Sequence, residues 1–167
     1  MIEVIPSTAQ YPWVQLRMSA AKIVALTESL MTSGVTYGLG AKISPLSLQA
    51  PQVKEVDCSG FVRWAIFHAL AQPADFDMPD GSWDEHHLWV DRLGFKPSTW
   101  VDAHDRDNAV RIAFLEPSDS PEGVGHVMLV VNGSTCESHG HHGPDMRAWG
   151  SQPFMSKCSV YVLTAPE

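Results

Sequence analysis

Hydrophobic positions along the chain change period several times, and each change marks an element. From Pro12 to Thr32 the residues Trp13, Leu16, Ala20, Ile23, Leu26 or Thr27 and Leu30 recur at threes and fours, which predicts a first helix ended by Ser33-Gly34. Residues 41 to 56 hold Pro45 and Pro51 and keep no period, so they read as an irregular loop. Val62, Ala65, Ile66 and Ala69 return to helical spacing, predicting a second helix from Cys58 to about Leu70 with Asp57 as its N-cap and Pro73 beyond its end. Ser82-Trp83-Asp84-Glu85 has the form of a capping box and predicts a short third helix to Leu93, closed by Gly94.

The second half of the chain changes to strand patterning. Val110, Ile112 and Phe114 alternate with Arg111 and Ala113, a strand with one buried face. Glu116 to Gly125 is rich in turn residues. Val127 to Val131 is strongly β-prone, Asn132-Gly133 is the favoured dipeptide of a two-residue type I′ turn, and Ser134 to Ser138 returns as the partner strand. That turn pairs Val131 with Ser134, and counting outward sets Met128 opposite Glu137 and His126 opposite His139. Cys158 to Leu163 is a final alternating strand. Helices followed by strands, in a chain of one domain's length without repeats, predict one α+β domain over 1–167.

Composition narrows the partners. A net charge of −8 without any basic block argues against nucleic acid or an anionic membrane surface, and favours a small neutral or cationic substrate. No apolar run reaches the roughly 18 residues of a membrane span. Met1 to Gln10 shows no signal peptide, so a protein made in the cytoplasm would need release or delivery to act outside it. The three cysteines, Cys58, Cys136 and Cys158, cannot all pair within one chain, and the last two fall in expected strands as buried fillers.

Candidate chemistry gathers at both ends of this pattern. Cys58 opens a helix, where unpaired N–H groups and the aligned peptide dipoles favour a thiolate and can hold an oxyanion. Equally, a lone cysteine is often a small core hydrophobe. The hairpin brings His126 and His139 onto one face: one histidine can act as base toward a thiol while the other fixes its tautomer, with Glu137 as the alternative orienter. Tyr37, in the glycine-containing loop Thr36 to Gly40, is either a core aromatic or a donor beside the site. Arg147 and Trp149 suit a cleft, packing or the surface equally.

Metal readings are weaker. His139, His141, His142 and Asp145 are rich in ligands, but no second ligand pair stands at a familiar spacing. His86 and His87 are adjacent on a helix, point apart and read as surface residues. Asp102, His104, Asp105 and Asp107 do not match the calcium-loop pattern. The expectation is no metal and no cofactor.

Taken together, the first helix, Tyr37-Gly38 with Gly40, Asp57-Cys58-Ser59-Gly60-Phe61-Val62, and Gly125-His126-Val127 opening a hairpin resemble, in that order, the NlpC/P60 family of papain-like cysteine peptidases. The family cleaves peptide stems of bacterial cell wall. The resemblance covers a core of about 12–163 and implies N-terminal helices packed on a central antiparallel sheet, with Cys58 as nucleophile, His126 as general base and later acid, and Tyr37, Asp57 and Ser59 on the oxyanion and substrate side. For the third catalytic residue, the family's interval from the base lands on Ser138 and alignment of the turns gives Glu137, while strand pairing selects His139, which is placed first and Glu137 second. One departure is Asn108-Ala109, where the family usually carries Gly-Asp. The implied substrate is an amide of peptidoglycan, the D-glutamyl to diamino acid bond, and the implied setting a phage lysin, tail-associated hydrolase or delivered effector working with a targeting or phage-particle partner. An amidase or acyltransferase on the same fold, or a non-catalytic phage structural protein, are the competing readings.

Overall fold

The computed structural model describes residues 18–92 and 94–164, the last of these as backbone alone. It is an α+β arrangement with a six-stranded antiparallel sheet in the order β1-β6-β2-β3-β4-β5, where β1 is Lys96–Pro97, β2 Val110–Leu115, β3 His126–Val131, β4 Ser134–His139, β5 Gly143–Asp145 and β6 Ser159–Thr164. Three helical segments precede the sheet. Among the described residues, no helix is long and apolar enough to cross a membrane.

Helix α1 covers Ala20–Thr32, later than the expected start, because Ser19 is extended and its hydroxyl accepts the Lys22 N–H at 3.3 Å as an N-cap. Trp13 and Leu16 of the expected helix lie outside the described residues. At the other end the Gly34 N–H bonds the Met31 carbonyl and the Val35 N–H that of Leu30, with Gly34 at φ +71°, the Schellman geometry that a Ser-Gly stop encodes. Ile23, Thr27 and Leu30 face inward. Helix α2, Cys58–Ala69, is apolar nearly all round, and only Arg63 and Phe67 fall short of burial. Such a helix needs cover on more than one side. α1 lies against it, and so do β3 and β4.

Residues 82–92 depart from the expected capping box. Gly81, not Ser82, is the N-cap, and Glu85–Trp89 widens to π geometry. Glu85 does not reach back to cap; it is fully buried with neither carboxyl oxygen hydrogen-bonded among the described residues. Burial, followed by the charges of Asp80, Cys58 and Asp57 against a lesser pull from Lys42, raises its pKa well above the ordinary value. An acid with a raised folded pKa contributes nothing while it is protonated in both states, and above the ordinary carboxyl range, where only the unfolded state ionises freely, it costs stability. Glu85→Gln, which cannot ionise, is therefore expected to raise stability by about 1–2 kcal/mol at neutral pH. The gain should vanish below about pH 4, as read from urea unfolding at the two conditions. His86 is likewise no surface residue: its ring stacks on Phe114 at 4.5 Å, and its nitrogens meet the Tyr161 hydroxyl at 3.1 Å and Glu116 at 2.9 Å.

Strand β2 is buried on both faces rather than one. Its second face is covered by a separate cluster of Ala103, Ala113, Met128, Val130, Trp149, Met155 and Val160. Arg111 survives inside because Asp107 takes two of its N–H groups, at 3.0 and 2.7 Å. The β3-β4 hairpin has the expected register, Val131 with Ser134, Val130 with Thr135 and Leu129 with Cys136, and Asn132 and Gly133 both take positive φ as a type I′ turn requires. β5 was not legible as a strand. It pairs Glu137 with Asp145, Ser138 with Pro144 and His139 with Gly143, so the outer half of β4 has a second neighbour.

Candidate active site

The first turn of α2 carries Cys58, and the N-cap works as expected. The Asp57 carboxylate accepts the Gly60 N–H at 2.8 Å, and its carbonyl accepts the Phe61 N–H at 3.0 Å. Among the described residues, that leaves the N–H groups of Cys58 and Ser59 for an incoming acceptor. Gly60 gives close room here, since a Cβ would stand 3.0 Å from both Asp57 Oδ1 and Val56 Cγ2 and 3.1 Å from the Ala41 carbonyl, so that a larger residue would have to push these neighbours back. The loop from residue 41 can therefore lie against the helix start. From that loop Lys42 reaches Asp57 at 2.5 Å, the Ser59 hydroxyl at 2.6 Å and Asp80 at 3.4 Å. Ser59 is thus tied by its side chain to a charged network. Burial opposes the Lys42 ammonium, but its bonds to Asp57 and Asp80 outweigh that and raise its pKa.

His126, the first residue of β3, is hydrogen-bonded to Glu137 and stands close enough to Cys58 for the sulfur to favour its charged form. Its Nε2 lies 2.8 Å from Glu137 Oε1, so Nδ1 is the ring atom left to face the sulfur. Glu137 is fully buried and accepts four contacts: from His126, from Arg147 Nε at 2.9 Å and Nη2 at 2.5 Å, and from the Thr135 hydroxyl. Buried carboxylates persist only with such compensation. Burial alone would raise Glu137, yet His126 and Arg147 hold it down at about 2. Burial alone would lower His126, yet Cys58 and Glu137 lift it to about 9. Phe154 closes this corner, edge-on to His126 at 6.0 Å and beneath the Arg147 guanidinium at 5.7 Å.

The residue behind His126 is therefore Glu137, not His139, which reverses the order taken from strand pairing. His139 is engaged elsewhere, its Nε2 lying 2.8 Å from Asp145 Oδ2. Ser138, the residue reached by counting, gives its hydroxyl to the Val56 carbonyl at 2.8 Å. Tyr37 is half-buried, and burial together with the charges of Cys58, Asp57 and Glu122 raises its phenol to about 12. At neutral pH it is a hydrogen-bond donor within the field of Cys58. Trp149 packs, its indole N–H bonded to the Trp100 carbonyl at 2.9 Å. The other thiols are not activated: burial pushes Cys136 and Cys158 up to about 12 each.

Lys42, Thr135 and Asp80 went unread in the sequence, and Arg147 was read without a role. Lys42, Asp80 and Arg147 act across gaps in the chain that no local period encodes, whereas Thr135 reaches Glu137 from two positions away on the same face of β4. Chemically the array can move a proton from a thiol to an imidazole and keep the resulting imidazolium against a carboxylate. The helix start offers N–H donors to an oxyanion beside the thiol. No protein-family profile matches the chain, and no curated protein does.

Proposed function

We propose that the protein is a papain-like cysteine peptidase of the NlpC/P60 type, hydrolysing an amide in the stem peptides of bacterial cell-wall peptidoglycan. The observation that carries the reading is His126, within the field of Cys58 and hydrogen-bonded through Nε2, at 2.8 Å, to the buried carboxylate of Glu137. The antiparallel sheet behind a helix that opens on cysteine is compatible with it. In this mechanism His126 takes the thiol proton, and the Cys58 sulfur attacks the amide carbonyl. The oxyanion is received by the first N–H groups of α2, with Tyr37 as a further donor. Collapse of the adduct breaks the C–N bond as His126 gives its proton to the leaving amine, and a thioester remains. His126 then deprotonates a water, which attacks the thioester; the acid departs and the thiol is restored.

The D-glutamyl to diamino acid bond is the target that the family resemblance supplies. With a net charge of −8 the chain gains no attraction from acidic wall polymers, so a targeting or particle-borne partner delivers it. The test is incubation of the full chain with purified peptidoglycans of several stem types, followed by mass spectrometry of the released fragments, with Cys58→Ala as the blank. New stem-peptide termini appear with the parent protein alone. Release of none across all wall types, or equal release by the blank, overturns the hydrolase reading.

A further inference from the structure

The turn between β4 and β5 gathers a second set of chemistry-bearing side chains outside the array around Cys58. His139, at the end of β4, His142, in the turn, and Asp145, at the end of β5, each offer one ligand atom, and all three atoms lie within 4.8 Å of one another. We infer that these three residues form a binding site for one divalent transition-metal ion, of the zinc class, with solvent water completing four-fold coordination. Two imidazoles and a carboxylate are ligands that such ions take at about 2.0–2.2 Å; four-fold coordination asks the His139–Asp145 pair, 2.8 Å apart, to open slightly and the exposed His142 ring to swing in.

The scaffold fixes two of the three ligands before any ion arrives. Asp145 is aimed by its other oxygen, which accepts the Met146 N–H at 2.8 Å and leaves Oδ2 for His139. The turn is closed by the His142 N–H on the His139 carbonyl at 3.2 Å. Gly143, at φ +79°, sits so tightly on the segment after α1 that a Cβ would be 2.7 Å from the Val35 carbonyl oxygen. Backbone held this way loses little freedom on binding. His142 is exposed, so an ion has a path from solvent. On entry the ion takes the place of the His139 Nε2–Asp145 Oδ2 hydrogen bond.

A second cluster, His86, His87 and Glu116, makes a useful contrast. There His86 has both nitrogens engaged, by Glu116 and the Tyr161 hydroxyl, and its face stacked on Phe114. Binding would have to dismantle these contacts. At the β4-β5 turn only one hydrogen bond, between the two ligands themselves, is exchanged. A bound ion would clip β5 to β4 immediately beyond Glu137, whose register partner is Asp145.

The experiment uses the full chain carrying Cys58→Ala, so that no thiol near His126 competes, after treatment with a chelator. Zinc is titrated calorimetrically, and cobalt(II) is added separately to read its visible absorption. One ion per chain is expected, with a rise in melting temperature and a four-coordinate cobalt spectrum. His142→Ala, at an exposed position that leaves folding intact, and Asp145→Asn should each weaken binding by about tenfold or more, while His87→Ala leaves it unchanged. The inference is overturned if neither metal saturates below about 1 mM, if His142→Ala binds as tightly as its parent, or if His87→Ala alone abolishes binding. None of these readouts depends on turnover, so failure here is distinct from failure of the peptidase reading.

Discussion

Glu137→Gln is expected to lower turnover of a stem-peptide amide by about 10³- to 10⁴-fold, the scale set by loss of the carboxylate behind a catalytic histidine. His139→Ala should leave turnover near that of the parent. The asymmetry follows from the contacts: His126 bonds Glu137 at 2.8 Å, whereas His139 is paired with Asp145. Glutamine nearly matches the size of the carboxylate and keeps one oxygen to accept from Arg147 Nε and Thr135, so the anion is lost with little change of volume. The pH profile separates this role from a packing defect. Glu137 is one of the groups lifting His126 to about 9, so its neutralisation lets the imidazolium lose its proton at lower pH. The alkaline limb of activity then moves downward in Glu137→Gln. Equal losses from the two substitutions, or an unmoved alkaline limb, would remove Glu137 from this position.

The same contact shows how far sequence reasoning reaches. Asn132-Gly133 set the hairpin register, because both residues readily take the positive φ that a two-residue type I′ connection needs. Carried outward, that register puts Glu137 across from Met128, and makes it the diagonal neighbour of His126 on the same face. Diagonal pairs stand about 7–8 Å apart at the backbone, a gap that a long carboxylate side chain closes. Direct opposition, the rule that favoured His139, assumes that β4 stays with β3. Its outer half turns instead to β5, a short Gly-Pro-Asp strand with no hydrophobic alternation to announce it. The capping motif at Ser82 failed for a related reason. A serine and a glutamate three residues apart satisfy each other locally only if the helix start is exposed, and here Glu85 is drawn into the interior. The start of α2 was legible because an aspartate, a helix and their hydrogen bonds all lie within a few residues. Lys42 was not: it meets Asp57 across 15 positions of irregular loop.

Arg147→Ala is expected to cost about 3–5 kcal/mol at neutral pH, because removing one partner of a buried pair strands the other charge. Glu137 is fully buried and takes two bonds from this one guanidinium, at 2.9 and 2.5 Å. The cost has a definite pH dependence. In the parent, burial would raise Glu137 but His126 and Arg147 hold it near 2. A depressed carboxyl contributes stability that is present above its ordinary pKa, about 4.5, and fades as pH falls through the folded value of about 2. Without Arg147 the folded pKa climbs back. The deficit is then full at pH 7 and shrinks as acid protonates Glu137 in the variant. Urea unfolding at pH 7 and at about pH 3 reads the two ends of this window, and a deficit of equal size at both would mean that Arg147 acts through packing on Phe154. The double variant Arg147→Ala with Glu137→Gln gives the remaining check. If the penalty is a stranded charge, the glutamine recovers part of it, and the two substitutions together cost less than the sum of their separate effects.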